Sequence, residues 1–530
     1  MGSCNPLPIL EVNAVDQFVA QLGDKVIGVL KTCDRMLFRG TLLNLVRLER
    51  MHLYLNVLRI PQAKWAGHLK AMSDLVEQRC LDRAEELGIE VRYIGRSNLR
   101  KEDVAREIAK EKGITEGPIV MLTAQEPCKS FRVVPSKLPQ GGFYLRKIRP
   151  VVKHIYLYQI HPVFGLTHTR LQTWFPFNLQ VCMNGHDWLA RAMDREGLAY
   201  EQRDNCFTWV EDIAKAQAIA ERFLKTRWEE ELDRFAQLIN PALPEVLGPF
   251  RASYYWSLMQ SEFSTDILFR DADELDKIAH PLIFHAMANL DSDDIMRFRG
   301  RKVRSDYKGE VSSRSKGYPD GLRIRHRLGH NSFKMYIKES TILRVETTIN
   351  DTGDFRTYRR KQGDPHGEKS WRELRQGVAD IRARIQISDA CNDRYIEALA
   401  SADTSSTLGK VFESVSTPRT WKGRRVRAMR PWDPKDSRLL QAVGRPEFAA
   451  TGFRSADLYR ILFGDETCSP EERRRRSGQL TRQLRLLRAH HLIKKVPNRR
   501  RYRVTTKGRE TISTILSAHG VTLEQLRKSA

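Results

Sequence analysis

The sequence predicts a multidomain α+β protein with a helical and mixed α/β N-terminal part, a central antiparallel β-unit and a C-terminal unit of helices around a short hairpin. The length of 530 residues is enough for roughly two to four domains, and 41% hydrophobic with 29% charged residues is typical of a globular chain. Apolar and polar residues alternate between positions 321 and 349, as in antiparallel strands. After position 434, helical patterns are separated by Pro and Gly.

Changes in composition divide the chain into five segments. The pattern predicts a mostly helical domain over 1–118, an aromatic β-rich α/β region over 119–245 and a basic α+β core over 246–400. A basic linker is predicted over 401–434, followed by a compact C-terminal domain over 435–530.

The sequence lacks the features that mark membrane proteins and secreted proteins. No apolar run is long enough to cross a membrane, and the first residues do not have the pattern of a signal peptide. The eight cysteines form no C-x-x-C pair, which argues against a disulfide framework and against a structural zinc site. We therefore expect a cytoplasmic protein without a membrane partner.

The formal net charge of +25 indicates a polyanionic partner, and nucleic acid is the usual one for so basic a protein. The charge is clustered: about +18 of it lies after residue 418 and about +9 between residues 296 and 346. The sequence thus predicts two basic surfaces, one at the C-terminus and one on the central β-unit.

The C-terminal residues predict a helix, a second helix, an arginine-rich helix, a basic hairpin and a closing helix, in that order. Ser469 and Pro470 mark the start of the arginine-rich helix. Its apolar stripe consists of Leu480, Leu484 and Leu487. This order of elements is that of a winged helix-turn-helix.

The segment "QLTRQLRLLRAHHLIKKVPNRRRYRV" resembles the recognition helix and wing of the MarR- and ArsR-like families. The resemblance covers residues 435–530 and implies that the helix enters the major groove while the wing follows the backbone. The DNA-contacting residues it implies are Arg473, Arg474, Gln479, Arg482, Gln483 and Arg485 on the helix, and Lys494, Lys495, Arg499, Arg500 and Arg501 on the wing. The partner favoured is double-stranded DNA, and a homodimer is compatible with the sequence; the alternative is a solvated basic face or a protein-binding winged helix.

The central β-unit is predicted as a three-stranded meander. A loop of residues 329–332 would pair Leu328 with Phe333 and His326 with Met335, and a second loop of residues 339–341 would follow. One face is apolar; the other carries Arg323, Arg325, Arg327, Lys334, Tyr336, Lys338, Arg344 and Glu346. We interpret this second face as a phosphate-binding surface. The alternative is an ordinary solvated face on which Glu346 pairs with its cationic neighbours.

The pattern Y-x-K followed by R-x-E in "KMYIKESTILRVETT" resembles a stretch of the replication initiator proteins of phages and rolling-circle plasmids. The resemblance implies strand nicking by a tyrosine nucleophile with a divalent metal, Mg²⁺ or Mn²⁺; no other cofactor is implied. It makes Glu346 a metal ligand and Tyr336 or Tyr358 the nucleophile, with Lys338 and Arg344 on the phosphate.

The remaining metal ligands are open at this point. Asp34 and Asp266 are acids that could complete the site, but a pair of histidines separated by one residue, common in such nickases, is missing.

Three functions are therefore considered. The first is a mobile-element or replication-type DNA-binding protein that nicks DNA. The second is a MarR-like transcriptional regulator without catalysis. The third is an RNA-binding structural protein, since aromatic segments such as "YLYQ" and "TWFPF" could stack on single strands.

Overall fold

The computed structural model describes residues 14–520 apart from 96–98, 137–140, 289, 291, 301–310, 319–320, 362, 365, 401–407, 446–447, 449–451, 465–468 and 497–499. The protein is a multidomain α+β protein, as predicted, and forms two compact units. The first unit consists of residues 1–27, 269–345 and 390–530, and the second of residues 28–268 and 346–389. Within the described part of the chain, no helix combines the length and the apolar character that crossing a membrane requires.

Strands account for much of both units. They are β1 Val26–Thr41, β2 Glu90–Tyr93, β3 Gly117–Pro127, β4 Ser130–Pro135, β5 Phe143–Ile148, β6 Val151–His161, β7 Gly165–Gln172, β8 Leu179–Asn184, β9 Tyr200–Arg203, β10 Cys206–Val210, β11 Tyr255–Phe269, β12 Val311–Tyr318, β13 Gly321–Leu328, β14 Asn331–Lys338, β15 Ile342–Ile349, β16 Arg356–Arg359, β17 Ser370–Glu373, β18 Arg419–Trp421, β19 Arg424–Val426, β20 Ile493–Lys495 and β21 Tyr502–Val504.

The α-helices pack against these strands or connect them. They are α1 Ala14–Leu22, α2 Leu43–Val46, α3 Leu48–Val57, α4 Trp65–Glu86, α5 Lys101–Glu111, α6 Gly185–Arg195, α7 Ile213–Arg222, α8 Trp228–Ile239, α9 Leu243–Leu247, α10 Ala272–Ala288, α11 Ser292–Phe298, α12 Ile381–Ala400, α13 Leu408–Val415, α14 Pro434–Val443, α15 Ser455–Phe463, α16 Pro470–Ala489 and α17 Thr506–Gly520.

The second unit is built on a mixed sheet with the strand order β15-β11-β1-β8-β7-β6-β3-β2. Strand β1 is antiparallel to β8, β8 to β7, β7 to β6 and β6 to β3, whereas β2 pairs parallel with β3. The sequence also predicts a helix over 253–262, but residues 255–262 belong to strand β11. Its alternating apolar residues and its position inside the sheet favour the strand over the helix.

A buried arginine connects three elements of the second unit. The Arg384 guanidinium, on α12, donates to the Ser261 hydroxyl at 2.8 Å, to the Leu258 carbonyl at 2.5 Å and to the Ile349 carbonyl. Burial lowers the pKa of Arg384 to about 9. Because β11 and β15 supply all three acceptors, this one side chain holds both strands against the helix.

The meander of the first unit confirms the three predicted strands and corrects one turn. The loop between β13 and β14 has two residues, Gly329 and His330, so that Ile324 pairs with Met335 and His326 with Phe333. This register is shifted by two residues from the prediction. Because side chains alternate with a period of two, each side chain stays on the face that was predicted for it. Gly329 has a φ of +58°, which a two-residue hairpin turn requires and a four-residue loop does not. The second loop, residues 339–341, is as predicted.

The exposure of the predicted cationic face of the meander differs from the prediction. Arg325 and Arg327 are exposed and Arg323 is half-buried, but Lys334, Lys338, Arg344 and Glu346 are buried, with Arg344 at 0% exposure. Every residue of β15 is buried, so this strand is covered on both faces. This burial does not favour contact of Lys334, Lys338 and Arg344 with the backbone of a DNA molecule. Phosphate binding by these three residues stays a prediction.

The C-terminal part of the first unit has its own core. Ser469 accepts a hydrogen bond from the Glu472 amide at the start of α16, as predicted. Leu480, Leu484 and Leu487 of α16 are buried in a cluster with residues of α14, α15, β20 and β21. The region predicted as a basic linker, 401–434, contains α13 and the hairpin β18–β19, and it contributes Val415 and Val426 to the same cluster.

We predict that Arg384→Met lowers the melting temperature of the protein by about 6 °C or more. The substitution leaves two backbone carbonyls and a hydroxyl buried without their donor, at about 1 kcal/mol or more each. Circular dichroism during heating measures the effect. The control is Arg382→Met, an exposed arginine of the same helix, which should shift the midpoint by about 1 °C at most. Equal midpoints for the two variants would contradict the role given to Arg384.

Candidate metal centre

Three neighbouring strands of the second unit each contribute one carboxylate to a compact acidic centre. Asp34 lies on β1, Glu262 on β11 and Glu346 at the start of the part of β15 that belongs to this unit. One oxygen atom of each carboxylate lies within 4.8 Å of the other two. Asp34 is 3% exposed and Glu346 is 2% exposed, whereas Glu262 is half-buried. Solvent therefore reaches the centre at Glu262.

Two asparagines fix the orientation of Asp34. The Asn184 amide donates to one carboxylate oxygen at 3.1 Å, and the Asn205 amide donates to the other at 2.9 Å. Asn184 ends β8 and caps α6 by accepting from the His186 amide at 2.8 Å. Asn205 lies in the turn between β9 and β10. The end of one sheet strand and one hairpin turn thus hold the Asp34 carboxylate in place.

The two glutamates are oriented from within their own strands. The Thr348 hydroxyl donates to Glu346 at 3.2 Å, and the Gln260 amide donates to Glu262 at 3.0 Å. In both cases donor and acceptor are two residues apart, on the same side of a regular strand. Each of the three carboxylates therefore has at least one neutral donor that restricts its rotation.

The arrangement suits a divalent cation with oxygen ligands. Two carboxylates 4.8 Å apart repel each other by roughly 3 kcal/mol at an effective dielectric constant of 20, and this centre holds three. A bound Mg²⁺ or Mn²⁺ replaces the repulsion by attraction, and carboxylate oxygens are the ligands that these ions prefer. The residues present therefore fit the divalent metal that the resemblance to replication initiator proteins implies.

His186 lies beside the acidic centre and is completely buried. Its Nδ1 is 3.8 Å from a carboxylate oxygen of Asp34, and its Nε2 is 4.0 Å from one of Asp266 and 2.9 Å from the Thr32 hydroxyl. Asp266, which the sequence suggests as a completing acid, thus lies next to His186 and is not one of the three converging carboxylates. Asp34, the other suggested acid, is one of them.

The predicted nucleophiles and the predicted phosphate-binding residues are not among the three residues of the acidic centre. Tyr358 lies on β16 of the second unit and is 56% exposed, paired across the hairpin with Trp371. Tyr336, Lys338 and Arg344 belong to the first unit. Among the predicted catalytic residues, the described structure brings only Glu346 into the acidic centre.

Sequence reasoning missed Glu262 and both asparagines. Glu262 lies in "MQSEFSTDILF", where an acid between apolar residues would have been a signal if the segment had been read as a strand. Its half-burial in a strand of mostly buried residues then points to a functional carboxylate. The asparagines carry no sequence signal, because their contacts with Asp34 depend on the folded loops.

We predict that Mn²⁺ binds to this centre and raises the melting temperature of the wild-type protein. At a free metal concentration of about 100 times Kd, the stabilisation is about 2.7 kcal/mol. Asp34→Asn and Glu346→Gln should each weaken Mn²⁺ binding about tenfold or more, because each removes a charged ligand. Isothermal titration calorimetry gives the affinities.

The matched control is Glu107→Gln, an exposed acid on α5, which should bind Mn²⁺ with unchanged affinity. Equal affinities for the wild type and for Glu346→Gln would refute the metal centre.

Comparison with known proteins adds little to this geometry. No protein-family model and no curated protein matches the chain. Among solved structures, the crystal structure of the di-domain ARO/CYC BexL from the BE-7585A biosynthetic pathway is matched with 12% sequence identity. The match covers 48% of this chain and 76% of that one, with a TM-score of 0.15. At this TM-score the similarity carries no argument about fold or function.

Proposed function

We propose that this is a DNA-binding protein that cuts one DNA strand at a divalent metal held by Asp34, Glu262 and Glu346. The observation that carries the proposal is the convergence of three carboxylates from three adjacent strands. One of the three, Glu346, is the residue that the resemblance to replication initiators marks as a metal ligand. Phosphodiester cleavage is a reaction for which carboxylate-bound divalent metals are used.

The chemistry requires a nucleophile and neutralisation of the phosphate. The bound metal would supply a Lewis acid that accepts charge from the phosphate oxygens. The attacking oxygen, from water or from a tyrosine, forms a bond to phosphorus and gives up its proton. The bond from phosphorus to the leaving sugar oxygen breaks, and that oxygen takes up a proton. Glu262 is half-buried and is therefore the most exposed of the three acidic residues.

The surrounding residues support this function by holding the carboxylates rigidly. Asn184 and Asn205 keep both oxygens of Asp34 engaged, so that the carboxylate cannot rotate away. Gln260 and Thr348 restrict the two glutamates in the same way. A preformed set of ligands lowers the reorganisation that metal binding and catalysis require.

DNA binding is proposed for the C-terminal winged helix. The burial of the leucine stripe of α16 leaves its arginines on the outer side of the helix. Arg473, Arg474, Arg482, Arg485, Lys494, Lys495 and Arg500 are exposed, and Gln479, Gln483 and Arg501 are half-buried. Arg499 lies outside the described residues. A helix and a hairpin that both expose cations suit a duplex with its groove and backbone.

We predict that the protein converts supercoiled plasmid to the nicked form in the presence of Mn²⁺ or Mg²⁺ and loses this activity with EDTA. Glu346→Gln and Asp34→Asn should lower the nicking rate about a hundredfold or more, because each removes a metal ligand. Agarose gel electrophoresis measures the products, and a denaturing protein gel shows whether DNA becomes attached to the chain.

Glu107→Gln serves as the control for nicking as well, with wild-type activity expected. Metal binding at the acidic centre without nicking of any plasmid or oligonucleotide substrate would reject cleavage and leave a structural metal.

We predict that Arg482→Ala/Arg485→Ala weakens duplex DNA binding about tenfold or more and reduces the salt dependence of binding. The slope of log K against log salt is negative, and each lost phosphate contact reduces its magnitude by about 0.9. Fluorescence anisotropy over a salt series measures both effects. The control Arg106→Ala/Arg203→Ala removes two exposed arginines of the second unit and should leave the slope unchanged. An unchanged slope in Arg482→Ala/Arg485→Ala would contradict the winged-helix proposal.

A further inference from the structure

The hairpin β16–β17 of the second unit presents two large aromatic rings to solvent. Tyr358 and Trp371 lie directly opposite each other in the antiparallel register. Tyr358 is 56% exposed and Trp371 is 43% exposed, and their ring centroids are 5.5 Å apart with a tilt of 50°. A pair of large rings on one open face is uncommon without a partner, because burial of such rings is strongly favourable.

The surroundings of the two rings are cationic. Seven lysines and arginines and three acids lie between positions 356 and 375, and two of the seven cations, Arg359 and Arg375, contact the Asp380 carboxylate. Arg356 is exposed and shares the side of the hairpin with Tyr358, two residues away on the same strand. Glu373 is the only acid of β17. It lies opposite Arg356, at the end of the hairpin that is farther from the turn. The charge therefore fits an anionic partner.

The hairpin is fixed to the strands that carry the acidic centre. It follows Glu346 of β15 by about ten residues, a reach of about 35 Å at most. After β17, the Leu258 amide of β11 donates to the Gln376 carbonyl at 2.8 Å, and Ser257 forms a bridge with Gly377. Glu262 lies a few residues further along β11. Both ends of the hairpin thus lead directly to strands that hold a carboxylate of the centre.

The base of the hairpin is also rigid. The Arg359 guanidinium donates to the Glu373 carbonyl at 3.1 Å and lies 3.4 Å from the Asp380 carboxylate. Arg375 donates to the same carboxylate at 3.0 and 2.5 Å. Two arginines on one buried carboxylate hold the hairpin in place relative to the start of α12. The two rings are therefore presented by a supported structure.

We propose that this hairpin binds single-stranded DNA, with bases stacked on Tyr358 and Trp371 and phosphates contacted by Arg356 and its cationic neighbours. Stacking on aromatic rings within a basic surface is the common way in which proteins hold single strands. The inference rests on the proposed function, whose substrate it specifies as the single-stranded form. It gives Tyr358 a stacking role in place of the nucleophilic role that the resemblance implies.

The chain contains a matched control hairpin. Trp209 on β10 is 45% exposed and lies opposite Glu201 of β9. Between positions 200 and 212 there are four acids and one arginine, so the charge is opposite to that around Trp371. An exposed tryptophan in an acidic hairpin should not bind DNA.

The test is fluorescence anisotropy of a labelled 15-residue oligo(dT) with the full-length protein. Trp371→Ala and Tyr358→Ala should each lower the affinity roughly 5-fold to 100-fold, as expected for the loss of one stacked base. Tyr358→Phe keeps the ring and should retain the affinity for oligo(dT). Trp209→Ala should bind as the wild type does.

Several outcomes would overturn the inference. Unchanged affinity in both Trp371→Ala and Tyr358→Ala, or an equal loss in Trp209→Ala, contradicts the stacking surface. Loss of nicking in Tyr358→Phe with full affinity makes Tyr358 the nucleophile. Tighter binding of oligo(U) than of oligo(dT) that also depends on Trp371 identifies RNA as the partner.

A further variant separates this inference from the proposed function. Glu346→Gln should bind oligo(dT) with wild-type affinity and fail to nick. Wild-type nicking by Glu346→Gln refutes the metal-dependent cleavage, while the effect of Trp371→Ala on oligo(dT) binding still decides the stacking surface.

Discussion

Mutual repulsion between three carboxylates is the constraint on which the second unit depends. Strands β15, β11 and β1 lie side by side and each contributes one acid, of which Asp34 and Glu346 are buried and Glu262 is half-buried. Such an arrangement is stable only if neutral donors, a cation or both compensate the charges. The amides of Asn184, at the end of β8, and Asn205, in the turn between β9 and β10, supply part of this compensation. Arg384 ties β11 and β15 together through uncharged acceptors.

Polar groups buried at such expense in stability are typical of functional sites. The acidic centre contains charged groups at positions where apolar side chains would stabilise the sheet. The neighbouring polar side chains Thr32 on β1, Ser264 and Asp266 on β11, and His186 at the start of α6 extend the same pattern. A sheet that needed only stability would have no reason to bury them together. The hairpin β16–β17 shows the reverse arrangement. It exposes the rings of Tyr358 and Trp371, which burial in a sheet would stabilise.

The fold could be predicted from the sequence where local patterns decide the structure. Alternation identified all three strands of the meander, and Ser469 and the leucines of α16 marked a helix and its buried side. The register was wrong by two residues because alternation does not distinguish shifts of two, and only the turn at Gly329 decides between them. The burial of Arg344 could not be predicted, because alternation shows that a strand has two faces but not that both are covered.

The site could be predicted only in part. Glu346 and Asp34 were candidates from the sequence, whereas Glu262 was hidden by the helical interpretation of residues 253–262. The other two carboxylates of the centre, Asp34 and Glu346, come from distant parts of the chain, and no short sequence motif can contain all three residues. The contact between Thr32 and Ser264, which joins the same two strands beside the centre, spans 232 residues of sequence.

That separation along the chain has a consequence during synthesis. Translation at 5–20 residues per second places roughly 15–60 s between the emergence of Asp34 and that of Glu346. In this interval β1 can pair with β8, but its other edge waits for β11. A nascent or prematurely terminated chain therefore lacks the complete acidic centre, and the proposed cleavage activity can arise only after Glu346 has left the ribosome. Because Glu346 is the last of the three carboxylates to be synthesised, the acidic centre is completed only after about two thirds of the chain has been translated.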